Sequence, residues 1–329
     1  MKVAVNRNLL MDALKLVKPA SNPKATLPVL GCVKMQTDEG LLSLACFNLE
    51  ISIQVNIPAL IEESGEICTP IIPLMDLLLT AKDDRITLAM DELKLQIIWG
   101  KSKTRLSTLP AEEFPPILGF YYDGIHVNSN EFKETIKQIA FAASTDKYKP
   151  VIQGIQINKT SMVATDGFRA AIKQFTIECS ALIPATSLRL VAAMAKEEEF
   201  ALRDADNQVV FTGAGWQLTS QKIDGNYPDL SVVVPNQDQA KTQIKVDADE
   251  LKTVTAQMQA VNSSMVRINA EESTLILSTE NAFDDTSAEI NSEIIGDPQY
   301  FAVNTIYLKE SLAALAGKIT LYLTGPRSP

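Results

Sequence analysis

NRNLLMDALKLV, running from Asn6 to Val17, reads as an amphipathic helix, and its recurrence decides the fold. Leu9, Leu10, Ala13, Leu14 and Val17 fall on one stripe at helical spacing, with polar residues opposite. The same pattern returns at Asn130–Ala143, where Phe132, Ile136, Ile139, Ala140 and Ala143 form the stripe behind a Ser129/Asn130 cap. It returns again at Asp247–Val261, where Leu251, Val254, Met258 and Val261 follow Asp247 or Asp249 at the helix start.

Each of these helices is followed by a second: PLMDLLLTA from Pro73, TSLRLVAAMA from Thr186 and TIYLKESLAALA from Thr305. Alternating segments of strand character lie between the two, such as LLSLACFNLEISIQV from Leu41 and SMVATDGFRAAIKQF from Ser161. Strands resume afterwards, and the first two units close on Phe114-Pro115 and Tyr227-Pro228. The order helix, strands, helix, strands thus occurs three times at a spacing of about 120 residues. Units of that length exceed the stacking repeats of a solenoid, and each can bury a core of its own. The expected fold is α+β, three similar domains in tandem at 1–120, 121–241 and 242–329, each with two helices on antiparallel sheet.

Composition sets the outer limits. Of 329 residues, 46% are hydrophobic, enough for real cores and too many for disorder. No apolar run approaches the roughly 18 residues of a membrane helix. The basic N-terminus lacks the apolar block of a signal peptide, so a cytoplasmic location is expected. Cys32, Cys46, Cys68 and Cys179 show no CxxC spacing and read as isolated buried hydrophobes, with neither metal nor cofactor implied. A formal charge of −10 argues against a surface that coats nucleic acid everywhere, leaving a local basic face open.

Six segments carry a family resemblance: MKVAVNRNLL at the start, ATLPVLGCV (Ala25–Val33), GKSKTRLSTLPAEEFP (Gly100–Pro115), VATDGFRAA (Val163–Ala171), IDGNYPDLSVVVP (Ile223–Pro235) and FAVNTIYL (Phe301–Leu308). Together they resemble the β subunit of bacterial DNA polymerase III, the replicative sliding clamp, along the whole chain. That resemblance implies a head-to-tail homodimer, a ring of six domains with helices around a central hole and sheets outside. It implies sequence-independent binding of double-stranded DNA, which requires Lys and Arg aimed at phosphates. Lys15, Lys18, Lys24, Lys133, Lys137, Lys147, Lys149 and Lys252 are the expected DNA-facing set; solvated helix faces explain such lysines outside a ring. The resemblance also implies that DNA polymerase, clamp loader and repair proteins dock through short extended peptides.

Carried over by motif, the peptide pocket comprises Ile152, Thr165, Gly167, Phe168, Arg169, Ala170, Pro228, Val232, Val233, Asn304 and Tyr307. Thr165-Asp166-Gly167 on its own reads as a tight hairpin turn, which is compatible with a pocket wall. Phe168 stands where the family commonly has His, Ala170 where it has Leu, and Val232 where a basic residue is frequent. By the same resemblance, Thr104 and Leu106 pair with Ser287, Ala288 and Ile290 of a second subunit. Only 24 residues follow Thr305, so the third domain is expected to lack one or two last strands and the family's Met-Pro-Met-Arg-Leu type tail.

Enzyme chemistry finds little support. His126, the only histidine, falls in the linker between the first two domains, so no Ser-His-Asp or Cys-His set forms. GKSKT at Gly100 lacks the glycine spacing of a phosphate loop and precedes a strand. Acidic pairs such as Asp83/Asp84 and Glu112/Glu113 leave a metal-dependent nuclease and a pure protein scaffold as the other readings.

Overall fold

The computed structural model describes residues 1–232, 234–261, 264–280 and 284–325. Its elements follow the repeat. The first runs β1 (Lys2–Asn6), α1 (Arg7–Val17), β2 (Cys32–Asp38), β3 (Leu41–Phe47), β4 (Ile51–Pro58), β5 (Leu60–Glu63), β6 (Glu66–Pro70), α2 (Ile71–Thr80), β7 (Arg85–Asp91), β8 (Lys94–Trp99) and β9 (Ser102–Ser107). The second runs β10 (Ile125–Asn128), α3 (Ser129–Ile139), β11 (Gly154–Ile157), β12 (Ser161–Thr165), β13 (Ala170–Gln174), β14 (Ala181–Pro184), α4 (Ala185–Met194), β15 (Glu199–Asp204), β16 (Gln208–Gly213) and β17 (Trp216–Gln221). The third runs β18 (Thr242–Asp247), α5 (Ala248–Ala260), β19 (Met265–Glu271), β20 (Thr274–Glu280), β21 (Asp285–Asn291), β22 (Glu293–Gly296), β23 (Gln299–Asn304), α6 (Thr305–Ala313) and β24 (Lys318–Leu323). Three strands follow α2 and α4, whereas among the described residues one follows α6.

Helix ends obey capping chemistry. Asn6, Asp247 and Asn304 each accept two backbone amides at the starts of α1, α5 and α6, satisfying donors that have no partner within the helix. For α3 the cap is Asn128, whose Oδ1 accepts the amides of Asn130 (3.1 Å) and Glu131 (3.0 Å); this corrects the expected Ser129/Asn130 cap. The stripe of α1 is also rotated from expectation. Met11 is buried and Leu9 is 46% exposed, because Leu10, Ala13, Leu14 and Val17 already define the buried line. The helix α3 stops at Ile139 and tightens into a 3-10 turn over Ala140–Ala142.

The chain forms two compact units. One comprises Met1–Lys133, Ile157–Lys159 and Thr176–Ile223; the other comprises Glu134–Gln156, Thr160–Phe175 and the chain from Asp224 onward. In the first unit an eight-stranded sheet runs β10-β15-β16-β17-β4-β3-β2-β6, so β17 of the second repeat hydrogen-bonds β4 of the first from Trp216↔Val55 to Ser220↔Ile51. A five-stranded sheet, β5-β1-β7-β8-β9, completes that unit and leaves β9 at its edge. Phe132, Phe200, Phe211 and Trp216 fill the core beneath the larger sheet, with Phe132 edge-on to Phe200 at 5.1 Å between centroids. The second unit holds a four-stranded sheet, β21-β20-β19-β23, and a three-stranded sheet, β22-β18-β24. Their core is Ile244, Leu251, Met258, Val266, Ile268, Leu275, Leu277 and Leu312.

Gln217 ties the segment after β9 to the large sheet. Its Nε2 donates to the Leu118 carbonyl at 3.0 Å, and its Oε1 accepts from the Tyr121 amide at 3.0 Å and from Thr212 Oγ1 at 3.1 Å. The Arg203 guanidinium stacks on the Tyr121 ring at 4.7 Å. Gln217 is almost wholly buried, so Gln217→Ala strands several polar groups at a cost of about 1–3 kcal/mol. Limited proteolysis of that variant is expected to cut within residues 116–124 faster than in the parent; an unchanged cleavage pattern contradicts this anchoring.

Candidate functional site

The turn between β12 and β13 centres the site. Asp166 Oδ1 accepts the amides of Phe168 (2.9 Å) and Arg169 (3.0 Å), and Gly167 supplies a φ of +91° that side-chain-bearing residues resist. Thr165 Oγ1 accepts from the Gly167 amide at 3.1 Å and donates to the Arg169 carbonyl at 2.6 Å. The hairpin expected from Thr165-Asp166-Gly167 is present, with β12 and β13 in register from Ser161↔Gln174 to Thr165↔Ala170.

Arg169 turns inward from this loop. Its Nε donates to Asp166 Oδ2 at 3.1 Å and its Nη2 to the Phe141 carbonyl at 2.9 Å. Its Nη1 lies 2.6 Å from Glu310 Oε2, an ion pair without the alignment of a hydrogen bond. The guanidinium also stacks at 4.4 Å on the Tyr307 ring and at 5.2 Å on the Phe141 ring. Asn304 caps α6 and so fixes the first turn from which Tyr307 projects. Of the expected pocket residues, Thr165, Gly167, Arg169 and Tyr307 are thereby linked, with Asn304 holding the last.

Tyr227 supports the loop from beneath. Its hydroxyl accepts the Thr165 amide at 2.9 Å and donates to the Gly154 carbonyl at 3.5 Å. Burial pushes this phenol up to about 12, opposed by the Thr165 hydrogen bond. Ile152 is half-buried, and its carbonyl accepts the Ser144 amide at 2.9 Å. Phe168, Ala170 and Pro228 are exposed. Val233 and the side chain of Val232 lie outside the described residues. Sequence reasoning did not assign Asp166, Phe141, Glu310 and Tyr227 to the site; of these, Asp166 in the Asp-Gly turn and Tyr227 in the repeated aromatic-proline pair carried a local signal.

The expected DNA-facing lysines divide by environment. Lys18, Lys24, Lys137, Lys147 and Lys149 are exposed, with Lys133 half-buried one turn before Lys137 on α3. Lys15 and Lys252 are ion-paired within their own helices, to Asp12 at 3.0 Å and Asp249 at 2.8 Å. Lys149 also stands 6.0 Å above the Phe168 ring, at the rim of the turn.

Both strands assigned to a dimer contact are sheet edges. Thr104 and Leu106 of β9 face inward, leaving Lys103 and Arg105 exposed; Ala288 and Ile290 of β21 face inward, leaving Asp285, Ser287 and Glu289 exposed. Beside β21 lies a cavity of about 470 Å³ lined by Asp247, Asp249, Glu250, Glu289, Ile290 and Asn291 among others. His126 occupies edge strand β10, not a linker, with Nδ1 3.8 Å from Glu199 Oε2. Three of the cysteines differ from expectation in being grouped: Cys46 Sγ lies 3.5 Å from the Cys32 carbonyl oxygen and interacts electrostatically with both Cys32 and Cys68, while Cys179 lies beside Asp204. Burial pushes Cys32 up to about 11 and Cys68 and Cys179 up to about 12, so they remain neutral thiols. Among the described residues no group of three or more His, Cys, Asp or Glu could hold a metal ion.

Residues 1–118 match the model of the DNA polymerase III beta subunit N-terminal domain, and residues 126–229 match that of its central domain. The chain belongs to the DNA polymerase III beta subunit family. It is 26% identical over 333 residues to the beta sliding clamp of Streptomyces coelicolor, covering 96% of this chain and 89% of that one. It is 28% identical over 357 residues to the beta sliding clamp of Synechococcus elongatus, covering 100% and 94%. The DNA polymerase III beta chain of Streptococcus pneumoniae superposes with a TM-score of 0.91 at 24% identity, over 100% of this chain and 94% of that one. The Pseudomonas aeruginosa sliding clamp bound to griselimycin gives 0.91 at 23% identity with the same coverage. The fold is therefore that of the beta subunit, three domains of helices on antiparallel sheets.

The Tyr227 arrangement gives a spectroscopic expectation. Because its folded value lies above the ordinary value of about 10, the hydroxyl contributes stability that is complete below pH ~10 and lost as pH rises through about 12. In an absorbance titration of tyrosinate, Tyr227→Phe is expected to delete a component near pH 12; loss of a component near pH 10 instead contradicts the burial.

Proposed function

We propose that this chain is a sliding clamp and processivity factor: a homodimeric ring that encircles duplex DNA and tethers replication and repair proteins to it. Family membership carries the reading, supported by a likeness to solved clamps that spans the whole chain. In this reading the domains divide at 1–120, 121–241 and 242–329. The protein is non-catalytic, working by topology, and acts in the cytoplasm; no helix among the described residues is long and apolar enough to cross a membrane.

Ring closure has a physical basis in the two edge strands. An unpaired edge offers a row of backbone donors and acceptors, and a head-to-tail dimer satisfies β9 of one subunit with β21 of the other. Charge favours this pairing over self-pairing of either edge, since β9 exposes Lys103, and Arg105 paired to Asp91 at 2.6 Å, while β21 exposes Asp285 and Glu289 beside an acidic recess. Inside the ring, Lys18, Lys24, Lys133, Lys137, Lys147 and Lys149 would face phosphates without reading bases. Lys15 and Lys252 contribute less in this reading, because each already has a carboxylate partner. The net charge of −10 over the whole chain, with these lysines set inside, would keep DNA from adhering to the outside.

DNA polymerase, clamp loader and repair proteins would bind through extended peptides at the Arg169–Tyr307 site, and griselimycin would bind this chain as it binds the Pseudomonas relative. The test is topological. Protein loaded on nicked circular DNA is expected to stay bound in high salt and to be released when the circle is cut. Lys24→Glu, Lys133→Glu, Lys137→Glu and Lys149→Glu together are expected to abolish retention without unfolding. Equal retention on linear DNA, metal-dependent cleavage, or no association with DNA overturns the reading.

A further inference from the structure

We propose that the outer edge of β24 takes an added strand from a second polypeptide. The segment that fits runs antiparallel to β24, with large apolar residues at alternate positions and a carboxylate at its C-terminal end. This strand site goes beyond the ring and the Arg169–Tyr307 site and depends on neither. Its basis is the internal repeat. KITLYL of β24 matches RITLAM at the start of β7, and EFALRD of β15 sets its apolar residues at the same places. Ile319 thus corresponds to Ile86 and Phe200, and Leu321 to Leu88 and Leu202.

The equivalent residues differ in what covers them. Ile86, Leu88, Phe200 and Leu202 are buried, because β8 and β16 lie antiparallel along the outer edges of β7 and β15. Ile97 stands opposite Leu88, and Phe211 stands opposite Leu202; both are buried as well. Among the described residues β24 pairs with β18 alone and ends its sheet. Ile319, Leu321 and Leu323 pack against the core of Ile244, Leu251 and Leu312, yet they are only half-buried. An added strand removes these side chains and a row of backbone donors and acceptors from water together. The other two repeats specify its chemistry: an aliphatic or aromatic residue opposite Leu321, alternating with residues on the outer face. Charge specifies its end. Lys318 heads β24, is exposed, and forms no ion pair among the described residues; Asp247, opposite it in register, is occupied in capping α5. An antiparallel strand brings its C-terminal end to Lys318, where a carboxylate is favoured. A second copy of β24 paired about Leu321 would place Thr324 there and offer no such partner.

The experiment measures fluorescence polarisation of three labelled peptides on the full chain. They are Thr-Leu-Thr-Ile-Thr-Val-Asp, its counterpart ending in Lys, and Leu-Ile-Val-Thr-Thr-Thr-Asp, which has the composition of the first without its alternation. The first is expected to bind about tenfold tighter than the third, because only alternation turns all three apolar side chains to the core. It is expected to bind about threefold tighter than the Lys-ended peptide, and Lys318→Glu should reverse that preference. Hydrogen–deuterium exchange with the first peptide bound should slow at residues 319–323 and stay unchanged at residues 86–90, which β8 already covers. Equal binding of the first and third peptides, no added protection at residues 319–323, or a preference untouched by Lys318→Glu overturns the proposal. So does concentration-dependent protection of residues 319–323 without peptide, accompanied by a larger species in sedimentation velocity; the occupant is then a second copy of this chain.

Discussion

A largely shielded guanidinium calls for compensating charge and hydrogen bonds, and Arg169 is where this fold supplies them. Taking a cation out of water costs several kcal/mol unless its donors and charge are met. Asp166 meets it from the same turn, Phe141 from the chain after α3, and Glu310 and Tyr307 from α6. Because the partners come from the second and third repeats, satisfying one side chain fixes the turn and the helix against each other. Tyr227 adds a second restraint through the Thr165 amide, so the turn is held at both ends. The proposed Arg169–Tyr307 peptide site, with Phe168 exposed on this turn, inherits its rigidity from these contacts.

The rest of the architecture distributes roles between sheets and surfaces. Strand β17 pairing with β4 makes one continuous eight-stranded sheet from two repeats, leaving fewer edges to protect. Two of the edges, β9 and β21, expose side chains of opposite charge, which in the proposed ring specifies a heterologous contact and discourages indiscriminate edge pairing. Function in the proposed ring follows from closure and from fixed positive charge, with no demand for a titrating catalytic group. The deeply buried, neutral cysteines fit that economy of chemistry.

What the sequence made legible was local. Helical stripes, the Asp-Gly turn and the alternation of β3, β4 and β12 are each written within a few residues, and periodicity together with turn chemistry recovers them. Smaller displacements have local causes too: Asn128 took the cap of α3 because its side chain reaches two free amides, and Leu9 yielded its buried place to Met11. The links that organise the site join segments far apart in the chain, as Arg169 does with Glu310 and Thr165 with Tyr227, and no spacing rule encodes them. Glu197 illustrates the same limit. It opens a run of three glutamates, Glu197–Glu199, whose spacing carries no sign of burial, yet its Oε1 accepts from the Trp216 indole at 2.9 Å and the Ala214 amide at 3.1 Å.

Hydrogen–deuterium exchange on Arg169→Met tests most directly whether this one cation couples the two elements. If it does, amides of residues 164–170 and of residues 304–312 lose protection together while the sheet of β19 and β20 keeps its own. Loosening confined to residues 166–169, with α6 unchanged, would contradict the account.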